Sequence, residues 1–466
     1  MAKKDEKQLM FKIVDGQAKI VPQKGKKKVD QDFVVKNSVE PKAVKKNKVK
    51  NWFRLDNAAT IYPSSKNEHW TFVFRISAVL KQKVDAFVLQ KSLNEIMPRF
   101  PTFDVYLKKG FFWYYFEHST SEIEVEKELE FPCSLMDLAD SKKHLIRVLY
   151  SEYRISLEVF HAITDGRGAT IFLNSLLARY FENLGYAISS CDSVLRYLDL
   201  PKEEEMEDSF FANASSKKGN SHKEQVAYNI RGTIEDEGIV NTTNGVMSVK
   251  EVKEIAKKHN ANLTTFLAGC LCYTILKKRK NSKKPVKISI PIDLRTRFCS
   301  KTLRNFSSYI NIAISDQSLG LDEVINQIKS ELEKVDNEYL EKNINANVSV
   351  QKNWFIKIMP LCVKNFFLNT AFNVLGEKLQ TFAFSNIGAI KVPQEFNDLI
   401  ERYEVNLGRS KHNSIAVGLI SFNDCLVLTI SSKLSENTTE RDFFKFLASL
   451  GVTVKVESNR RDEYGG

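Results

Sequence analysis

"VFHAITDGRGATIF", residues 159–172, stands between a run of strand-like alternation and a run of helical spacing. Upstream, SEYRISLEVF places Tyr153, Ile155, Leu157 and Val159 on one face of a strand. Downstream, Phe172, Leu176, Tyr180 and Leu184 recur every four residues, the spacing of a helix packed on a sheet. His161 keeps the odd register of the apolar face, so its ring is expected to leave the strand pointing inward. An inward imidazole titrates near neutrality and can take up and return a proton, as general-base chemistry requires. The other reading is a histidine satisfied within the core, and this stretch alone leaves both standing. Asp165, directly before Gly166, is expected on a tight turn in which glycine supplies φ > 0. A carboxylate buried there needs a cationic partner, and its expected part is to shape the loop rather than to move protons.

Outward from this stretch the chain alternates strand and helix. HWTFVFRISAVL reads as a strand, VDAFVLQKSLNEIM as a helix, and FDVYLKKGFFWYYFEH as two strands joined by a Lys-Gly turn. Residues 201–245 are polar and rich in turn formers, which marks them as a connecting segment. A second αβ half follows. VKEVKEIAKKHN and LTTFLAGCLCYTILKKR read as helices, and LDEVINQIKSELEKVDNEYLEK as one long amphipathic helix. VKISIPIDLR, FSSYINIAIS, LQTFAFSNIGAIKVP, NSIAVGLISF and DCLVLTISSK read as strands, and a helix from Glu440 to Ser449 closes the chain. The expected organisation is a basic tail over 1–50, an N-terminal half over 51–200, the connection 201–245 and a C-terminal half over 246–466.

A length of 466 residues supports two large halves, and 31 Phe with 15 Tyr promise an aromatic interior. The net charge of +12 is uneven: residues 1–50 hold 15 Lys against 6 acidic residues, +9 of the total. Basicity confined to a tail disfavours nucleic-acid binding by the body. In the tail, FKIVDGQAKIV suggests a hairpin about Asp15-Gly16, marginal by itself, and 24–50 reads as a lysine-rich linker. The start has no apolar h-region, so a cytoplasmic protein is expected. The longest apolar run, LTTFLAGCLCYTIL, is too short to span a bilayer and reads as a buried helix. Seven cysteines without a CxxC pair point to neither a disulfide framework nor a zinc site, and Cys270 and Cys272 are expected to be core thiols.

HxxxDG at the end of a core strand resembles the motif of the coenzyme A-dependent acyltransferase superfamily. That group includes chloramphenicol acetyltransferase, the plant BAHD enzymes, condensation domains of nonribosomal peptide synthetases and alcohol acetyltransferases. NWFRLDNAATIYP at 51–63, MPRFPTFDVYLKKGFFWYYFE at 97–117, PIDLRTRFCSKTLRNFSSYINI at 291–312 and FAFSNIGAI at 382–390 are similar, in this order, to bacterial alcohol acetyltransferase-like proteins. The resemblance covers roughly residues 50–460. It implies an α/β (α+β) protein of two pseudo-symmetric chloramphenicol acetyltransferase-like sandwich halves with mixed sheets and a tunnel at their interface.

The resemblance further implies acyl transfer from a CoA thioester, acetyl-CoA foremost, to a small alcohol or amine, with His161 as base and no acyl-enzyme. Asp165 and Gly166 would support the site, with Asp165 paired to Arg295 of PIDLR, or to Arg297 as its substitute. Ser385 or Asn386 of SNIGAI would donate a hydrogen bond to the oxyanion or donor, or else form a turn. No metal is implied, and a monomer is expected. Phe160 stands where condensation domains usually carry a second histidine, and the BAHD signature DFGWG is missing, so contacts to coenzyme A do not map residue by residue. An enzyme taking its acyl group from a carrier-protein thioester, and a non-catalytic interaction protein on the same scaffold, are the alternatives.

Overall fold

The structure, a computed structural model, describes residues 11–14, 17–20, 51–65, 71–137, 142–215, 224–279, 282–375, 377–410 and 413–460. It divides into Met1–Lys50 and a body, Asn51–Gly466. In the former, Phe11–Val14 and Gln17–Ile20 pair antiparallel. The Asp15-Gly16 turn and the linker 24–50 lie outside the described residues.

Two mixed sheets organise the body. The first has five strands in the order Ile400–Leu407, Val73–Leu80, Arg154–Phe160, Ile146–Tyr150, Val125–Lys127. Its last two strands are parallel and the rest antiparallel. The second has seven, in the order Ser307–Ile314, Val286–Asp293, Phe382–Ala389, Ile415–Phe422, Cys425–Ser432, Asn241–Ser248, Lys455–Ser458. Phe382–Ala389 runs parallel to both its neighbours. A three-stranded sheet adds Trp52–Arg54 to the hairpin of Val105–Lys109 and Tyr114–His118.

Each large sheet carries its own apolar core. Leu89 and Leu93 from the helix Ala86–Ile96 and Phe172, Leu176 and Tyr180 from Gly166–Asn183 are buried against the first. Phe266, Leu267 and Leu271 from Leu263–Lys278, Val324 and Ile328 from Leu321–Glu333, and Phe443 and Leu447 from Thr438–Ser449 fill the second. Cys270 and Cys272 are buried there, and burial pushes the Cys272 thiol up to about 12.

Three elements depart from the sequence reading. The alternation in 151–160 suggested one buried face, yet the strand is buried on both: Tyr153 precedes it and is exposed, while Ser156 and Glu158 are buried opposite Ile155 and Leu157. Glu158 tolerates burial because Arg75 Nε donates to it at 2.9 Å and Arg147 Nη2 at 2.5 Å. The helix read through 321–342 is two, Leu321–Glu333 and Asn337–Lys352. Asp336 ends the first by capping the second, accepting from Tyr339 N at 2.7 Å. Finally, Ile400–Leu407, a strand from late in the chain, forms an edge of the first sheet through pairing with Val73–Leu80.

Candidate active site

His161 follows the last residue of the strand Arg154–Phe160, and its backbone N–H donates to Phe72 O at 2.8 Å. Its ring is stacked on Tyr62, with centroids 4.9 Å apart, and tilted against Phe74 at 5.0 Å. Burial among these rings holds its pKa below the ordinary histidine value, so the imidazole is neutral at pH 7.

The hydrogen-bond network around Asn305 assigns the tautomer. Asn305 Nδ2 donates to Asp56 Oδ2 at 3.1 Å and to Ala162 O at 3.4 Å, which turns Oδ1 toward His161 Nδ1 at 3.1 Å. An amide oxygen can only accept, so Nδ1 carries the proton and Nε2 keeps its lone pair. Asp56 is fully buried, accepts from Ala59 N at 2.7 Å and lies 3.7 Å from Arg304 Nε. Burial raises its pKa to about 6, against the pull of Arg304.

Asp165 is the N-cap of the helix Gly166–Asn183 and accepts from Gly168 N at 3.3 Å. Its φ is −98° and Gly166 is the first helical residue, so the expected positive-φ turn is not formed here. The glycine that the packing demands is Gly168, where a Cβ would lie 2.2 Å from Leu303 O and 2.1 Å from Thr164 Oγ1. Arg295 meets Asp165 through two contacts of 3.0 Å, and Phe306 N donates to Asp165 Oδ2 at 2.9 Å. Burial alone would raise the Asp165 pKa, but Arg295 and the two backbone donors outweigh it and hold the carboxyl below its ordinary value. Arg295 also donates to Asp293 Oδ1 at 2.9 Å and to Thr302 O at 2.8 Å; Arg297 is exposed. The loop between Val286–Asp293 and Ser307–Ile314 thus reaches from the seven-stranded sheet to both ends of the motif.

A cavity of about 520 Å³ opens at this junction, and His161, Asp165, Gly166, Arg295, Ser385 and Asn386 all line it. Arg167, Asp192 and Lys391 are exposed members of its lining.

Several solved structures share this architecture. The trichothecene 15-O-acetyltransferase of Fusarium sporotrichioides matches with a TM-score of 0.55 at 12% identity, covering 85% of this chain and 94% of that one. Polyketide synthase associated protein 5 of Mycobacterium tuberculosis gives 0.54 at 13%, covering 85% and 97%. The starter condensation domain of rhizomide synthetase, solved with C8-CoA and Leu-SNAC, gives 0.54 at 9%, covering 86% and 94%. The chain has the condensation-domain and CoA-dependent acyltransferase fold. Neither family models nor curated sequences match the chain.

Within this acyltransferase fold the two residues of SNIGAI separate. Asn386 accepts from Gly388 N at 2.8 Å and donates to Thr264 Oγ1 at 2.7 Å, shaping the bulge where Gly388 takes φ +91°. Ser385 is half-buried in the cavity wall, and its hydroxyl makes no hydrogen bond among the described residues. Sequence reasoning missed Asp56, Tyr62 and Asn305. All three lie in the segments 51–63 and 291–312 that carried the resemblance, but no spacing within either segment points to an imidazole about a hundred residues or more away.

Proposed function

We propose that this protein moves an acyl group from a CoA thioester to an alcohol or amine, with His161 as general base. The observation that carries this reading is the neutral imidazole whose Nδ1–H is held by Asn305, lining a cavity between two sheets. The acceptor O–H or N–H hydrogen-bonds to Nε2. As the acceptor attacks the thioester carbonyl, Nε2 takes its proton and negative charge moves to the carbonyl oxygen. Ser385 Oγ is the donor offered to that oxyanion. Collapse of the tetrahedral adduct expels the thiolate, which takes the proton back from the imidazolium, so the histidine ends neutral and no acyl-enzyme forms. Arg167 and Lys391 in the cavity wall suit the phosphates of CoA or of a phosphopantetheine arm. The fold neighbours include a structure with bound C8-CoA, which supports a CoA thioester as donor.

Incubating the protein with a panel of acyl-CoA esters and small alcohols and amines tests the proposal. The expected result is acylated acceptor by mass spectrometry, free CoA in equal amount, and no mass increase on the protein. A stable acyl adduct on the protein, or hydrolysis indifferent to acceptor, would overturn direct transfer.

A further inference from the structure

Two separate segments expose aromatic rings on one face of the body. The tip of the hairpin 105–118 carries Phe111 and Phe112, 72% and 41% exposed. The helices Trp354–Ile358 and Leu361–Leu375 carry Trp354 and Phe355, 59% and 61% exposed, and Phe366 and Phe367, 68% and 58%. The segments are tied together: Leu361 N donates to Phe111 O at 2.8 Å, and Lys364 Nζ donates to Phe112 O at 2.9 Å while lying 3.3 Å from the Trp113 ring centroid. The apolar surface continues inward as a cavity of about 340 Å³ lined by Trp113, Ile356, Met359, Leu361 and Phe367. An exposed patch of this kind marks a surface that something covers.

The charges around it narrow what that is. Residues 342–376 contain four lysines and no acidic residue, and 107–115, LKKGFFWYY, two lysines and none. Lys109, Lys352 and Lys357 are exposed beside the rings. A second copy of the chain, meeting this face about a two-fold axis, would set Lys109, Lys352 and Lys357 against their counterparts, while Glu117 and Glu338 beside these segments are already paired with Lys108 and Lys342. A bilayer supplies both partners, an apolar layer for the rings and anionic headgroups for the ammonium groups, and Trp and Phe beside Lys are the residues that settle at that boundary. We infer that this face docks on an anionic lipid surface, inserting Trp354, Phe355, Phe366 and Phe367 with the hairpin tip. It would lie on the membrane rather than cross it; no described helix is long and apolar enough to span one.

The full chain is sedimented with phosphatidylcholine vesicles with and without phosphatidylglycerol, beside F366S/F367S and K352E/K357E. All substituted side chains are exposed, so far-UV circular dichroism and melting should match the wild type. The expected result is binding to the phosphatidylglycerol vesicles that weakens by about tenfold or more in either double variant. Brominated lipid should quench wild-type tryptophan emission, and Trp354→Phe should remove most of that quenching. No binding by the wild type, or binding that both double variants retain in full, as adhesion through the basic residues 1–50 would produce, overturns the inference. Self-association lost in F366S/F367S without lipid binding would assign the face to a second copy and also overturn it.

Discussion

Asp165 and Arg295, 130 residues apart in the chain, meet in a buried two-point ion pair with both contacts at 3.0 Å. The pair fastens the helix that follows the motif to the loop of the opposite sheet, and that loop also delivers Asn305 to His161. Removing the guanidinium leaves a carboxylate buried without its cation, so Arg295→Ala should cost about 3–5 kcal/mol. Urea unfolding checks this. Loss of less than about 1 kcal/mol would mean that the junction does not depend on the pair.

The Asn305 contact should be visible in the imidazole itself. Nitrogen-15 shifts of the His161 ring are expected to report a protonated Nδ1 and a bare Nε2 at pH 7, and Asn305→Ala should abolish that preference. Turnover in the variant should fall about tenfold or more, as a mis-set base would require. An Nε2–H tautomer in the wild type would contradict the assignment.

Glycine positions in the motif should differ sharply in tolerance. At Gly168 a Cβ meets backbone, 2.2 Å from Leu303 O, so Gly168→Ala is expected to cost about 1–3 kcal/mol. At Gly166 the obstacle is the end of a flexible side chain, Ile387 Cδ1 at 2.5 Å, which can turn aside into the cavity. Gly166→Ala should therefore stay within about 1 kcal/mol of wild type in thermal unfolding. Equal losses at the two sites would contradict this packing.

Acid should act on His161 and Asp56 with opposite signs. The folded-state pKa of His161 lies below its ordinary 6.5, so its contribution to stability is fully present above pH 6.5 and is lost as pH falls through the depressed value. Only there should kcat/KM lose activity as the base becomes protonated. Asp56, raised from 3.8 to about 6, stabilises the fold in its neutral form, and that contribution fades as pH rises through 6. Asp56→Asn should flatten the loss of stability between pH 4 and 6 while His161→Gln should not, as paired melting curves would show.

What could be read from the residues was whatever repeats at short range. Val73–Leu80, Ala86–Ile96 and the hairpin from Val105 to His118 follow their apolar periods, and the strand, loop, helix order around His161 was plain. Ile400–Leu407 was not, because Arg402, Glu404 and Asn406 occupy alternate positions that a buried strand ordinarily fills with apolar residues. They are accommodated by partners brought from elsewhere in the chain, as when Arg402 Nη2 donates to Glu457 at 2.6 Å. The Asp56, Asn305 and His161 chain was hidden for the same reason: its links span 249 and 144 residues. Local pattern cannot show which distant amide orients a ring. Ser385 and Asn386 looked equivalent until the bulge at Gly388 absorbed one of them.

The imidazole's role is tested most directly by acceptor-dependent thiol release from acyl-CoA at pH 7.5, measured for the wild type and for His161→Ala. Loss of about 10²–10⁴-fold in rate, with the variant's melting curve still cooperative, is the result expected of a positioned general base. Thiol release at the wild-type rate in His161→Ala would show that the proton is taken elsewhere and that this histidine is a packing residue.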